Sequence, residues 1–538
     1  MACPDLESAL TLWRQLLGAE FVLSERERSI PRIDGTHPSV SSHPPAVLLP
    51  ITVLEIQEIV RVAAINHIPL YPVSTGKNWG YGDACAPSQD QVIVDLRRMK
   101  KIVAMDRDLG LVTVEPGVTQ RDLERYLDEN KLPFLTPVTG SSPDCSLIGN
   151  ALERGFGFTP QVDHCANVMA LEAVLPDGRL YTKAHQEQGC TDIARAYKWG
   201  IGPYLDGLFF QGNFGIITQA TIALTRKPEQ ILFMACQVKD SQSISEIIPC
   251  LQEMKAVFGS SLPVIKIVSL LTPLAAEGEI PAFSSNLDYT DLMKTIETKR
   301  RTEDMVSWYI VAPIYGISTI HHQLKSYMRQ RLKYYCKWPI YFFSEKSLRC
   351  ADFLCNFLFG RIRKKLKRQI FATREGFNLA KGIPSEYGLR VAYARQGSMQ
   401  PTENLDPARD GCGLLWYSPL VPFRQDDVKE CLNFLEDFCH HHALLPFFTI
   451  TTLSEYCLDI TVALLFDKKN SEACDHVLEC YQLLLAEGRK RGWLPYRLPV
   501  HKTTALSFDD SVFWETAKRI KKAIDPGSII APGRYVVK

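Results

Sequence analysis

A chain of 538 residues is too long for one compact core, so two or more domains are expected, with room to bury a large cofactor. Its 61 Lys and Arg nearly balance its 60 Asp and Glu, which excludes a global field for gathering nucleic acid or an anionic membrane, and any charged partner must meet a local patch. The 16 cysteines are scattered as singles, among them Cys85, Cys145, Cys165 and Cys412, without a CxxC ladder, which points to a reduced cytoplasmic protein rather than a secreted disulfide scaffold.

The opening "MACPDLESAL" carries acids instead of a cationic leader, no apolar run approaches about 18 residues, and the final "VVK" is not a peroxisomal address, so a soluble, unexported protein is expected. Residues 1–40 read as a lead-in: a short amphipathic pattern, "LESALTLWRQLLG", then the polar "HPSVSSHPPAVLLP" as linker, with the compact fold beginning near Ala46. Next comes a helical period in "TVLEIQEIVRVAAINH", strands in "IPLYPV", "QVIVDL" and "LVTVEPG", and a helix "TQRDLERYLDENK" opened by Thr119. This α+β unit is expected over residues 41–228.

Residues 229–500 mix long helical patterns, "DDVKECLNFLEDFCHHH" and "SEACDHVLECYQLLLAEGRKRG", with strand-like runs such as "DITVALLF", and read as a second α+β domain. Residues 501–538 supply a terminal helix and closing loop in "KRIKKAIDPGSIIAPGRY".

The stretch "STGKNWGYG", Ser74 to Gly82, follows a strand and carries three glycines, which admit positive φ and let backbone N–H groups approach a ligand such as a pyrophosphate. It matches neither GxxxxGK[ST] nor GxGxxG, and by itself it reads equally as a tight surface turn.

Later segments follow in order: "VIVDLRRMKKIVAMD", "LVTVEPGVTQRDLERYL", "PVTGSSPDCSLIGNALERGFGFTP", "YKWGIGPYLDGLFFQGNFGIITQATIAL", then "PYR" and "IDPGSIIAPGRY". The series resembles the vanillyl-alcohol oxidase and 4-cresol dehydrogenase family of FAD-linked flavoproteins, densely in the first domain and sparsely in the second. The resemblance implies a two-domain fold, with a PCMH-type FAD-binding domain, an α+β substrate or cap domain, and a C-terminal segment returning to the FAD domain.

It also implies an FAD site. Ser74, Thr75, Gly76, Lys77, Asn78, Gly80 and Gly82 would wrap the pyrophosphate. Gly140, Ser142, Ser146, Ile148, Gly149, Asn150, Gly215, Ile216, Ile217 and Arg534 would line the rest of the cofactor. Backbone amides can meet phosphate charge there without a lysine-rich surface.

By the same resemblance Tyr81, Tyr496 and Arg497 would surround a substrate phenol oxygen, and Asp163, in "TPQVDHCANV", would lie near the reacting carbon as proton or water manager. Two hydroxyls and a guanidinium stabilise a phenolate by charge-assisted hydrogen bonds. Read from its residues alone, each of these four is also compatible with ordinary core polarity or, for Asp163, a turn cap.

Family members with covalent flavin attach it through a histidine or tyrosine near the segment that here reads "LDPARDGCGLLWYSP"; ungapped matching on "WYSP" leaves Leu414 and Asp406 there. Dissociable FAD is therefore expected, with Cys412 or Tyr417 reachable only through a gap. No metal is expected, since His440 to His442 and the pair His321 and His322 lack zinc-spaced partners. The basic run "GRIRKKLKRQ" reads as a solvated helix face, with docking to an acidic partner as the alternative.

These readings imply oxidation of the benzylic carbon of a para-substituted phenol through a para-quinone methide, on a small-molecule substrate, without nucleic acid or membrane. A homodimer and an electron-acceptor protein are family possibilities. Two alternatives stay open: the same FAD chemistry on a non-phenolic natural-product intermediate or hydroxy acid, or a redox-silent flavin-binding or interaction protein.

Overall fold

Local capping starts the first helices. Thr52 accepts from the Glu55 amide while the Glu55 carboxylate accepts from the Thr52 amide, opening Val53–Ile65, and Thr119 with Asp122 does the same for Gln120–Glu129. The computed structural model describes residues 5–24, 33–38, 41–285, 287–396, 403–503, 505 and 511–536. Ser39 and Val40 of the expected linker, and Val537 and Lys538 of the C-terminal "VVK", lie outside them.

Two larger sheets, besides two two-stranded ones, lie in the first 226 residues. One places Val22–Ser24, Ala46–Leu48, Val92–Asp95 and Leu70–Val73 side by side, the first pair antiparallel and the others parallel. The other is antiparallel, in the order Leu180–Tyr181, Val168–Val174, Ile216–Ala223, Leu111–Val114, Ile102–Asp106.

The N-terminus departs from expectation. Leu6–Leu17 is no detached lead-in, because Ala9, Leu10, Trp13 and Leu17 are buried in the core of the four-stranded sheet, and Val22–Ser24 forms its edge strand. Full burial of Trp13 alone contributes on the order of 3 kcal/mol, enough to bind a short helix to a core. Folded structure thus begins well before Ala46.

The C-terminal segment also joins this sheet. The Leu70 amide donates to the Ile529 carbonyl at 2.7 Å and the Ala531 amide to the Leu70 carbonyl at 2.7 Å, after the helix Val512–Ile524.

A third, eight-stranded sheet is built from residues 230–466. Its order is Tyr341–Phe343, Gln230–Gln237, Trp308–Gly316, Lys266–Ser269, Phe448–Thr452, Cys457–Phe466, Gly413–Tyr417, with Leu420–Pro422 also on Cys457–Phe466. Strand side chains alternate, so one face packs Ile267, Ile310, Ile450 and Ile460 against helices Ser243–Phe258, Gln425–His441 and Ser471–Arg491. The opposite face, including Val268, Val311, Thr451 and Thr461, lines a cavity toward the first two sheets. Among the described residues no helix is long and apolar enough to cross a membrane.

Candidate active site

The cavity holds about 980 Å³, near the top of the roughly 300–1,000 Å³ range of ligand pockets. One half is made by loops of the first domain. After the strand Leu70–Val73 the chain turns through Gly76 at φ +68°, a conformation that favours glycine, and lays Ser74, Thr75, Gly76, Lys77 and Asn78 along the wall. Gly140, Ser146, Ile148, Gly149 and Asn150 continue it, with Gly215, Ile217 and Arg534. Ser146 caps the helix Leu147–Leu152 and its amide donates to the Thr75 hydroxyl at 3.1 Å, which joins the two loops.

Four predicted cofactor residues lie elsewhere. A Cβ on Gly80 would meet the Trp416 ring at 2.2 Å and one on Gly82 would meet Val500 at 2.6 Å, so both glycines allow close packing against the second domain instead of facing the cavity. Ser142 closes a turn, its carbonyl accepting from Gln120 at 2.9 Å. Ile216 points from its strand into the core of the four-stranded sheet, as alternation with Ile217 requires.

Tyr81, Tyr496 and Arg497 come together in the other half. The Tyr81 hydroxyl is 3.0 Å from Ser418 Oγ and is also hydrogen-bonded to Tyr496, and the Arg497 guanidinium carbon sits 4.3 Å from the centre of the Tyr81 ring. Burial pushes Tyr81 up to about 12 against the opposing pull of Arg497, and burial also raises Tyr496 well above the usual phenol range. Both are thus neutral hydroxyl donors around neutral pH.

Arg497 also donates to Asn78 Oδ1 and stands 3.5 Å from Glu153, which receives Arg534 at 2.5 Å and the Tyr535 hydroxyl at 3.0 Å. Burial alone would raise Glu153, but the two guanidiniums outweigh it and hold the carboxyl below its usual range. Two cations share one anion, which leaves one positive charge in excess. Arg497 Nε and Arg534 Nη1 are buried without a hydrogen-bond partner.

Asp163 is not part of this group. Its carboxylate accepts from the Ala166 amide at 2.8 Å in a partly exposed turn and does not line the cavity. A turn of that type satisfies an aspartate locally, which keeps it from the site.

A different acid is there. Asp459, from the apolar strand Cys457–Phe466, lines the cavity with Oδ1 buried and unpartnered and Oδ2 accepting from Thr461 at 2.6 Å, and burial pushes it up to about 7. Its signal in the sequence is the single charge in "DITVALLF". Lys266, whose burial lowers it to about 8, lines the same wall.

Leu414 lines the cavity, whereas Asp406 is held by Lys77 at 2.5 Å and Cys412 is buried away from it, its thiol pushed up to about 12 by burial. The Tyr417 hydroxyl donates to the Trp493 carbonyl at 3.2 Å. Part of the basic run is tied down: Arg368 pairs with Glu277 at 3.2 Å and with Glu279, and the same helix, Gly360–Ala380, turns Leu366 and Gln369 into the cavity. His442, His476 and Cys480 bring their ligand atoms within 4.8 Å of one another, and His476 Nε2 lies 2.9 Å from the His442 carbonyl oxygen.

The glycine-lined wall, the amides of two loops and the unpartnered Arg534 donor fit a large anionic cofactor. A family model described as an FAD binding domain matches residues 44–183. The 1'-carboxy-chondrochloren decarboxylase of Chondromyces crocatus is 31% identical, covering 99% of this chain and 98% of that protein. The 4-cresol dehydrogenase [hydroxylating] flavoprotein subunit of Pseudomonas putida is 26% identical over 98% of this chain and 95% of its own. The structure of 4-ethylphenol oxidase from Gulosibacter chungangensis, in its isoeugenol complex, superimposes with a TM-score of 0.85 at 19% identity, covering 100% of this chain and 99% of that one.

Proposed function

Because this chain belongs to the vanillyl-alcohol oxidase and 4-cresol dehydrogenase family and is an FAD-dependent oxidoreductase, we propose that it oxidises the benzylic carbon of a para-substituted phenol. The observation that carries this reading is the meeting of Tyr81, Tyr496 and Arg497, with one unbalanced positive charge beside two buried hydroxyl donors. A phenol that gives up its proton there supplies the missing anion. Each unit by which its pKa falls from ~10 represents about 1.4 kcal/mol of preference for the phenolate.

A phenolate drives electron density to its para carbon, and the benzylic C–H bond then breaks with its electron pair leaving as hydride. Bound FAD supplies the hydride acceptor. The substrate becomes a para-quinone methide, to which water adds at the benzylic carbon or from which a neighbouring proton departs. The chain's contribution is to hold the phenol oxygen between Tyr81, Tyr496 and Arg497 and to keep the apolar remainder of the cavity dry.

A second reading is a substrate with a carboxylate on the carbon next to the benzylic one. Once hydride loss has made the quinone methide of such a substrate, the C–C bond to the carboxyl breaks, carbon dioxide leaves, and the released electron pair forms the alkene and restores the aromatic phenolate. The relative named a carboxy-compound decarboxylase supports it.

We take the FAD to be held without a covalent bond, on the ground that Leu414 offers no nucleophile and that Cys412 and Tyr417 do not line the cavity. The described cysteines, all free thiols, support a reducing cytoplasmic setting. The name flavoprotein subunit supports a protein electron acceptor.

The test is anaerobic mixing of the holoenzyme with 4-ethylphenol. Bleaching of the flavin is expected; no bleaching by any 4-alkylphenol, with bleaching by a non-phenolic alcohol, overturns the phenol reading. Acid precipitation is expected to leave the flavin in the supernatant, and flavin retained in the pellet overturns the non-covalent one.

A further inference from the structure

Several charged side chains of the cavity wall are met by an opposite charge. Lys77 is neutralised by Asp406, Glu277 by Arg368, and Glu153 by Arg497 and Arg534. Lys266 makes no hydrogen bond or ion pair with any described residue, and its ammonium lies 4.2 Å from the centre of the Phe158 ring. A lone cation facing a largely apolar cavity is costly to desolvate unless an anion meets it.

Its position is rigid. Lys266 sits on a central strand paired on both sides, opposite Val311 on one neighbour and Thr451 on the other. Thr451 in turn lies opposite Asp459. Residues directly opposite in register point to the same face, so Lys266, Thr451 and Asp459 form a row across the cavity wall, and all three line it.

Two strand spacings separate the ends of the row by roughly 10 Å. Asp459 is the end that senses Tyr81 and Tyr496, so the row runs from the phenol-binding group toward Lys266.

We propose that Lys266 anchors a carboxylate on the para substituent of the substrate, which makes the substrate class 4-hydroxyphenyl compounds whose side chain carries an acid. The inference rests on the phenol-oxidation reading and assigns the residue that selects among phenols. Asp459 is close enough for its charge and that of Lys266 to oppose each other's burial shifts, but the two form no ion pair and burial still holds Asp459 near 7, so the ammonium is left for a substrate carboxylate to meet. The Thr451 hydroxyl between them offers a neutral hydrogen bond to the same carboxylate.

The experiment compares wild-type holoenzyme with Lys266→Met and Lys266→Arg. Flavin reduction is followed anaerobically with 4-ethylphenol, which has no acid, and with 3-(4-hydroxyphenyl)propanoate. Lys266→Met is expected to raise the apparent Kd for the propanoate tenfold to a hundredfold, to leave 4-ethylphenol within twofold, and to be rescued by arginine.

Equal losses on both phenols, or none on either, overturn the proposal. Titrating the flavin spectrum with 3-phenylpropanoate, which lacks the hydroxyl, reads the subsite without turnover. If 4-ethylphenol does not reduce the wild type but 3-phenylpropanoate binding still depends on Lys266, the phenol reading fails and the carboxylate subsite stands; binding that ignores Lys266 overturns the subsite.

Discussion

The two halves of the cavity are built by different means. The half proposed for FAD is backbone: loops Ser74 to Asn78 and Gly140 to Asn150 follow strand and helix ends, and their shape comes from residues close in sequence, such as Gly76 at positive φ and Ser146 as a helix cap. The half proposed for substrate is side chain: Tyr81, Tyr496 and Arg497 come from distant loops, and Asp459 and Lys266 are placed by sheet register. Asn78 and Arg497, in hydrogen-bond contact, are 419 residues apart. A backbone cradle tolerates varied side chains around one cofactor, whereas a side-chain wall changes its ligand with a single substitution.

That contrast predicts its own failures. Arg497→Ala removes a buried cation from Glu153 and from both tyrosines, a loss of about 3–5 kcal/mol where a buried pair is broken. The expected outcome is a fall of about a hundredfold to a thousandfold in kcat/KM for a 4-alkylphenol with the flavin still bound; loss of flavin in the purified variant would mean that the two halves are not separable.

A second test is thermal unfolding against pH. Burial holds His164, hydrogen-bonded at 2.6 Å to Asn150 in the FAD half, down at about 4. The folded state therefore stays neutral while the unfolded chain takes up a proton below its ordinary 6.5. Stability is whole above that value and falls as pH drops toward the folded value, by about 2 kcal/mol at pH 5. His164→Gln is expected to flatten that part of the profile, and an unchanged slope would remove His164 from the account.

Gly76→Ala tests the cradle directly. A non-glycine residue in the left-handed region costs about 1–2 kcal/mol, and its Cβ would stand 3.0 Å from the Ala84 Cβ. Titration of apoprotein with FAD is expected to show roughly tenfold weaker binding with the phenol Kd unchanged.

The smallest effect belongs to Asp163→Ala. Losing the bond to the Ala166 amide costs about 1 kcal/mol of stability. The rate of flavin reduction is expected to hold within twofold, and a large fall would return Asp163 to the chemistry.

What was legible in the sequence follows the same division. The capped helices opened by Thr52 and Thr119, and the strand before Ser74, are set by neighbours within four residues and could be read directly. That Tyr81, Tyr496 and Arg497 belong together was suggested only by family resemblance, because no local pattern marks a tyrosine as facing a cavity. Asp163 was misplaced for the same reason in reverse: proximity in a motif suggested the site, and a local turn claims its carboxylate. The amphipathic start "LESALTLWRQLLG" showed a helix but not its partner, and Trp13 in the core reveals it.

The sequence by itself determined the alternation of elements, the glycine turn able to approach an anionic cofactor, and the family. The first two rest on φ preferences, capping hydrogen bonds and apolar periodicity, all of short range, and the family rests on the resemblance carried by the ordered motifs. Only the tertiary structure decided that Gly80 and Gly82 pack against Trp416 and Val500, that Glu153 is shared by two guanidiniums, and that Lys266, Thr451 and Asp459 align across one wall. Strand register and the closing of distant segments made those choices, and both are set by burial summed over the whole sheet, a quantity no single stretch of sequence contains.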